Sequence, residues 1–265
     1  MNAASASGRH AISLIPHQGH WASVSPVRAV LFDLVGTVLD EQSDYEALDR
    51  VMARVAERFR LDAKPKELSG EFSLALMEIL RQEGDDVETP AEFVPFEKAA
   101  KDIFAAILEF RGFTASPEDV AWFWSSYLED QRKTWRLYPE AKKVLQDLKA
   151  KGLRIVIVTD ADRYLAREML PRLKLDALVD AVVCAEDAGF VKPHPAVFEL
   201  GIKAAGCAAD ECAFVGDSYE RDVLGARAAG IRHAILVDRH RARTVDVPTV
   251  PSLKRVPKLL GAIEA

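Results

Sequence analysis

At 265 residues the chain is about 1.75 times the roughly 150-residue prior for one domain, which implies one large domain carrying an insertion, or two domains. Apolar residues at 49% and charged residues at 29%, with 13 Pro and 14 Gly scattered, describe an ordinary globular chain and exclude disorder, collagen and coiled coil. Thirty-five basic against 41 acidic side chains leave a formal charge of −6, no electrostatic footprint for a phosphate backbone, so no nucleic-acid partner is expected.

Residues 1 to 32 contain no Asp or Glu and only Arg9 and Arg28 as bases, and the apolar run from Ala11 to Ile15 is too short for an export signal; residues 1–26 are expected to form a loose tail outside the fold. From Arg28 the chain reads Arg-Ala-Val-Leu-Phe-Asp-Leu, a buried strand ending in an acid. Residues 43–134 change character to long amphipathic runs broken by Pro, Gly and acidic clusters, a block of about four helices. Ser43 to Glu46 has capping-box spacing and is followed by Leu48, Val51, Met52, Val55 and Phe59 on one helical stripe. Helices over roughly 66–82 and 91–110 come next, separated by the acidic, turn-rich Gly84 to Pro90. Ser116-Pro117-Glu118-Asp119 starts the last helix, with Pro at its first position and acids in its first turn. Val120, Phe123, Trp124, Tyr127 and Leu128 then fall on one packed face, and Trp122, off that stripe, is the one aromatic candidate for a substrate-facing or interface position.

After Trp135 helix and strand alternate: a helix from Pro139 to Gly152, a strand from Arg154 to Asp160, a helix over about 162–173, then strands at Ala181 to Cys184, Cys212 to Gly216 and His233 to Val237 with helices between. Such alternation implies right-handed crossovers and a doubly wound parallel sheet, to which the first strand, at 28–34, belongs by character. The chain is therefore read as an α/β protein whose Rossmann-like core, residues 27–42 and 135–265, carries an inserted helical domain, residues 43–134. Cys184, Cys207 and Cys212 have no C-x-x-C spacing and read as reduced thiols of a cytoplasmic protein rather than as disulfides or a zinc site. The longest apolar stretches, Ala29 to Leu34 and Ile155 to Val158, fall far short of the about 18 residues that span a bilayer, so no membrane partner is expected. A monomer or homodimer is expected.

Ligands of open α/β sheets bind outside the carboxyl ends of the strands, and four such ends are polar here. They carry Asp33-Leu-Val-Gly-Thr37, Thr159-Asp160, Lys192-Pro193, and Gly216-Asp217-Ser218 with Asp222 beyond. A carboxylate, a hydroxyl, an ammonium and an acidic pair converging on one crevice match what phosphoryl transfer through an aspartyl-phosphate requires. These four ordered pieces resemble the motifs of the haloacid dehalogenase superfamily, over about residues 28–240. The resemblance implies that the inserted helices are a C1 cap, that Mg2+ is the cofactor, and that the substrate is a small phosphorylated metabolite. It implies Asp33 as nucleophile and metal ligand, the Val35 carbonyl and Asp217 as further ligands, and Asp222 as a water-bridged or orienting metal acid. Gly36, Thr37, Thr159, Asp160 and Lys192 would then surround the phosphoryl group, with Thr159 and Lys192 holding its oxygens.

One position departs from the family pattern: phosphatases of this superfamily mostly place a second Asp two residues after the nucleophile as general acid and base, and here Val35 stands there. That chemistry is worth roughly 10²–10⁴-fold. The alternatives to a phosphatase are a haloacid dehalogenase, whose carboxylate attacks carbon, a catalytically weak binding or regulatory protein, and a phosphonate hydrolase using a cap lysine. Against these, Asp217 with Asp222 favours a metal site, and Lys64, Lys66, Lys98 and Lys101 read as solvated helix faces. Asp160 and Asp162 are expected to N-cap the following helix, and Ser218 to cap the helix after its strand or touch phosphate. His194 and the basic run Arg239 to Arg243 are expected on the surface, while Asp40 and Glu41, where the chain leaves the core, are candidates for contact with substrate.

Overall fold

The computed structural model describes residues 26–81 and 92–263. Nearly all of the expected tail and the whole Gly84 to Pro90 separator lie outside the described residues. A six-stranded, all-parallel sheet forms the centre: β1 (Ala29–Phe32), β2 (Arg154–Thr159), β3 (Ala181–Cys184), β4 (Cys212–Gly216), β5 (His233–Val237) and β6 (Thr249–Val250), in the order β3-β2-β1-β4-β5-β6. β1 is central because its four residues, Ala-Val-Leu-Phe, are buried on both faces, which only a strand flanked on both sides and covered by helices can achieve. In register, Phe32 stands beside Ile157 on one side and Val215 on the other, so β2 ends two residues and β4 one residue beyond β1. The strand order winds from β1 toward both edges while every strand stays parallel, which puts the crevice of a doubly wound sheet at its carboxyl end.

Between β1 and β2 the chain inserts four helices, α1 (Gln42–Arg58), α2 (Pro65–Arg81), α3 (Phe96–Glu109) and α4 (Pro117–Thr134). Their shared core holds Phe72, Phe104, Phe123 and Tyr127, with the Phe104 and Phe123 rings stacked at 4.3 Å. The expected stripe on α4 is buried at Phe123, Trp124, Tyr127 and Leu128. Trp122 is half-buried under the guanidinium of Arg58, 4.6 Å from its ring, which explains its place off the stripe. The sheet is flanked by α5 (Ala141–Ala150), α6 (Arg163–Arg172), α7 (Ala185–Ala188), α8 (Pro195–Ala205), α9 (Gly225–Ala228) and α10 (Val256–Ile263).

Three local expectations are corrected. α1 begins one residue early, and Ser43, fully buried in its first turn, bonds back to the Asp40 carbonyl instead of forming a capping box with Glu46. Asp40 takes over, accepting from the Gln42 amide at 3.1 Å. α3 starts at Phe96 rather than near 91, because Pro95 imposes an extended residue before it and Glu92 bridges to Phe190 of the sheet module. β6 was not anticipated: two residues between Pro248 and Pro251 carry no periodicity.

The inserted helices are rooted by a short pairing of their entry and exit. Leu39 bridges Leu137, the Asp40 amide donates to the Arg136 carbonyl at 2.9 Å, and the Tyr138 amide to Val38 at 3.1 Å. Among the described residues no helix is long and apolar enough to cross a membrane.

Candidate active site

Asp33 follows β1 directly and is 6% exposed, its amide held by the Val215 carbonyl at 2.9 Å. Lys192, 2% exposed, sends its ammonium between Asp33 Oδ1 at 2.7 Å and Asp222 Oδ1 at 2.6 Å. Two charge-assisted bonds of this length, removed from water, fix the carboxylate's orientation. The second Asp33 oxygen, Oδ2, is buried and has no partner. Asp33, Asp217 and Asp222 each offer a carboxylate oxygen within 4.8 Å of the others.

The turn after Asp33 makes this approach possible. Gly36 has φ +88°, and a Cβ there would meet Asp217 Oδ2 at 2.5 Å, so both the left-handed backbone and the Asp217 carboxylate exclude any side chain. Gly36 was expected among the phosphate contacts; its amide is instead taken by the Leu39 carbonyl at 2.9 Å, and what the position supplies is room for Asp217. Thr37, fully buried, donates its hydroxyl to Asp217 Oδ1 at 3.2 Å. Beyond β4 the chain makes a π-helical turn, Tyr219–Leu224, which returns Asp222 to the strand end, where its Oδ2 accepts from the Ser218 amide at 3.0 Å. Gly216 is the seat of that return, since a Cβ there would lie 2.3 Å from the Asp222 carboxylate. Ser218 caps this turn through the Arg221 amide, as expected.

Burial shifts two of these acids, Asp33 and Asp217. Burial raises the Asp33 carboxyl well above the usual carboxylate range, Lys192 opposes the rise, and Asp222 and Asp217 add to it. Burial likewise pushes Asp217 up to about 6, with Asp222 contributing. Burial alone would lower the Lys192 pKa, but Asp222, Asp33 and Asp160 outweigh it and hold the ammonium protonated. The centre carries one buried ammonium against three close carboxylates, a deficit of positive charge that buried acids do not tolerate without a cation or protons.

Thr159 ends β2 fully buried, with its hydroxyl accepting from the Ala161 amide at 3.2 Å. Asp160, expected near the phosphate or as a cap of the next helix, does not cap it, since the N-cap position of α6 belongs to Asp162. The Asp160 carboxylate accepts from the Lys192 amide at 2.8 Å and from the Arg221 guanidinium, so it positions Lys192; an anion is in any case the wrong partner for phosphate oxygens. Asp162 occupies the N-cap position of α6 but turns its carboxylate away, to the Phe96 amide of α3 at 2.9 Å. α3 begins after Pro95 with no side-chain cap of its own, so an acid from the sheet module satisfies its first amides, an arrangement worth about 1 kcal/mol. His194, expected at the surface, is half-buried, caps α8 by accepting the Ala196 amide at Nδ1, and stacks on Phe190 at 3.9 Å.

Arg239 is the residue that motif reading missed. Instead of lying in a solvated basic run it donates to the Thr37 carbonyl at 2.9 Å and to Glu140 at 2.8 Å, and stacks on the Tyr138 ring at 3.3 Å. It thereby pins the turn that carries Gly36 and Thr37. The signal was available, since Arg239 stands just beyond the carboxyl end of β5, where polar groups of such sheets collect. Asp40 is held by Arg136 at 2.8 Å, and Glu41 lines a cavity of about 190 Å³ together with Gly36, Tyr138, Asp217 and Arg239. Lys64, Lys98 and Lys101 pair with helix neighbours Glu67, Asp102 and Glu97, as solvated faces do.

Comparison with known proteins agrees with this geometry. The ribulose-1,5-bisphosphate 5-phosphatase of Halopiger xanaduensis is 28% identical over 207 residues, covering 77% of this chain and 82% of that protein. A crystal structure of a HAD phosphatase from Thermococcus onnurineus superimposes with a TM-score of 0.65 at 25% identity, over 89% of this chain and 98% of that one. The L-2-haloacid dehalogenase of Xanthobacter autotrophicus has the same fold, with a TM-score of 0.65 at 19% identity over 89% and 98% of the two chains. The model of the haloacid dehalogenase-like hydrolases matches residues 27–230, and the chain belongs to that family.

Proposed function

We propose that the protein is a Mg2+-dependent phosphatase that releases phosphate from a small phosphorylated metabolite through an aspartyl-phosphate on Asp33, with the helical insertion as its cap. The observation that carries this reading is the unpartnered, buried Asp33 Oδ2 in a cluster with Asp217 and Asp222, in a centre short of positive charge. All-oxygen donors of this kind suit a hard divalent ion, so the residues fit magnesium. Asp33, Asp217 and the Val35 carbonyl would hold it, with Asp222, whose oxygens are engaged by Lys192 and Ser218, orienting the set. Bound there, the ion supplies charge to the transferring phosphoryl group.

The remaining chemistry belongs to the chain. Lys192 and the Thr159 hydroxyl hold the phosphoryl oxygens, and Lys192 keeps the Asp33 carboxylate aimed at phosphorus. Asp33 attacks, the bond from phosphorus to the alcohol oxygen breaks, and the departing oxygen takes the electron pair and a proton from solvent. Water then attacks the same phosphorus and gives a proton back to solvent, the bond to Asp33 breaks, and the carboxylate returns as inorganic phosphate leaves. Hydrolysis of p-nitrophenyl phosphate is expected with Mg2+ and not with EDTA or in Asp33→Asn. Metal-independent release of chloride from 2-chloropropionate, without phosphate ester hydrolysis, would establish the dehalogenase instead.

A further inference from the structure

The amino-terminal end of β4, at the opposite end of that strand from Asp217, holds two of the chain's three thiols in contact. Cys207 directly follows Gly206, whose left-handed φ of +68° closes α8, and is half-buried. Cys212 is the first residue of β4, fully buried and in register with Ala29 of β1. Their sulfurs lie 3.3 Å apart, either able to donate to the other. The third thiol, Cys184, is buried at the carboxyl end of β3, on the far side of the parallel sheet.

The backbone around the pair holds the contact. A single 3-10 turn, Ala209–Glu211, joins the two cysteines. The Glu211 amide donates to the Ala208 carbonyl at 3.1 Å, and the Ala208 amide to Glu211 Oε2 at 2.9 Å. Arg28, at the entry to β1, donates its amide to the Glu211 carbonyl at 2.8 Å and its guanidinium to Glu211 Oε1 at 3.3 Å. A fastened turn, not a free loop, therefore brings the two side chains together. They differ in access: Cys207 is partly open to solvent, whereas burial, reinforced by the contact with Cys207, holds the Cys212 thiol protonated well above its ordinary range.

We propose that Cys207 and Cys212 form a reversible thiol–disulfide pair, a modification site for hydrogen peroxide separate from the reacting centre. The sulfur of Cys207, the reachable one, attacks a peroxide oxygen and the O–O bond breaks. Cys207 becomes a sulfenic acid, and the departing hydroxide takes the thiol proton and leaves as water. The sulfur of Cys212 then attacks that of Cys207, the S–O bond breaks, and hydroxide leaves with the Cys212 proton as a second water. Two thiols give up two electrons and one peroxide takes them. A second thiol in contact diverts the sulfenic acid from further oxidation, and an external dithiol restores both cysteines by exchange. None of this depends on the phosphatase reading.

The test exposes the full chain to hydrogen peroxide, counts free thiols and weighs the tryptic peptide Ala204–Arg221, which contains Cys207 and Cys212 but neither Cys184 nor a methionine. Wild type is expected to fall from three free thiols to one, the peptide losing the mass of two hydrogens, and dithiothreitol to restore all three. In Cys212→Ala, confirmed as folded by its thermal melt, Cys207 has no resolving thiol and is expected to advance to the sulfinic or sulfonic acid, which dithiothreitol does not reverse. Should Cys212→Ala fail to fold, Cys207→Ser, which alters only a half-buried side chain, decides: it is expected to form no internal disulfide. Three thiols that survive a dose sufficient to oxidise free cysteine, oxygen adducts on wild-type Cys207 in place of the disulfide, or a disulfide that involves Cys184 or joins two chains would each overturn the proposal.

Discussion

Lys192→Met is expected to lower phosphatase turnover by about 10²–10³-fold or more and folding stability at pH 7 by about 3–5 kcal/mol. The wild-type ammonium is 2% exposed and bonded to Asp33 and Asp222, so methionine fills much of the volume while leaving two buried carboxylates facing each other uncompensated. The pH dependence identifies the cause. Without the ammonium the folded-state Asp33 carboxyl titrates even higher than it does now, above its unfolded value of 3.8, so the folded state binds a proton that the unfolded state has released. Stability lost at pH 7 is therefore regained as pH falls toward 5, which urea melts at the two values measure. A deficit equal at both would mean that lost packing, and not charge, is responsible.

Val35 isolates a different contribution. With an apolar side chain two residues beyond the nucleophile, nothing positioned there protonates the departing oxygen. The rate is expected to rise steeply as the leaving-group pKa falls, with aryl and acyl phosphates far ahead of alkyl phosphates. Val35→Asp is expected to flatten that dependence and to raise turnover on alkyl phosphates, within the roughly 10²–10⁴-fold range of general acid–base catalysis. A plot of log kcat/KM against leaving-group pKa, in the regime where chemistry limits, gives the slope for both proteins. A flat wild-type plot would assign the proton transfer to another residue, with Glu41 in the adjoining cavity the first to replace.

What could be read from the sequence was local. A run such as Ala-Val-Leu-Phe ahead of Asp33 announces a strand and the group at its end, and the same holds for Thr159 and for Gly216-Asp217, because strand and turn chemistry is written within a few neighbours. What escaped depends on partners far along the chain. Asp162 reads as a cap for the helix it precedes, and only the fold brings the uncapped amides of α3, 66 residues away, to its carboxylate. Arg239 reads as one more surface base in a basic run, yet it closes on Thr37 across 202 residues. Gly36 was legible as a special position but not for the right reason, since its crowding by Asp217 is a tertiary contact.

Intact-protein mass spectrometry after rapid mixing with p-nitrophenyl phosphate and Mg2+, followed by acid quench, tests the covalent mechanism most directly. With Val35 leaving water without a positioned base, hydrolysis of the proposed aspartyl-phosphate is expected to be the slower step, and wild type is expected to accumulate the mass of one phosphoryl group, mapped to Asp33 and absent in Asp33→Asn or with EDTA. A phosphoryl group on any other residue, or hydrolysis that continues undiminished in Asp33→Asn, would contradict it.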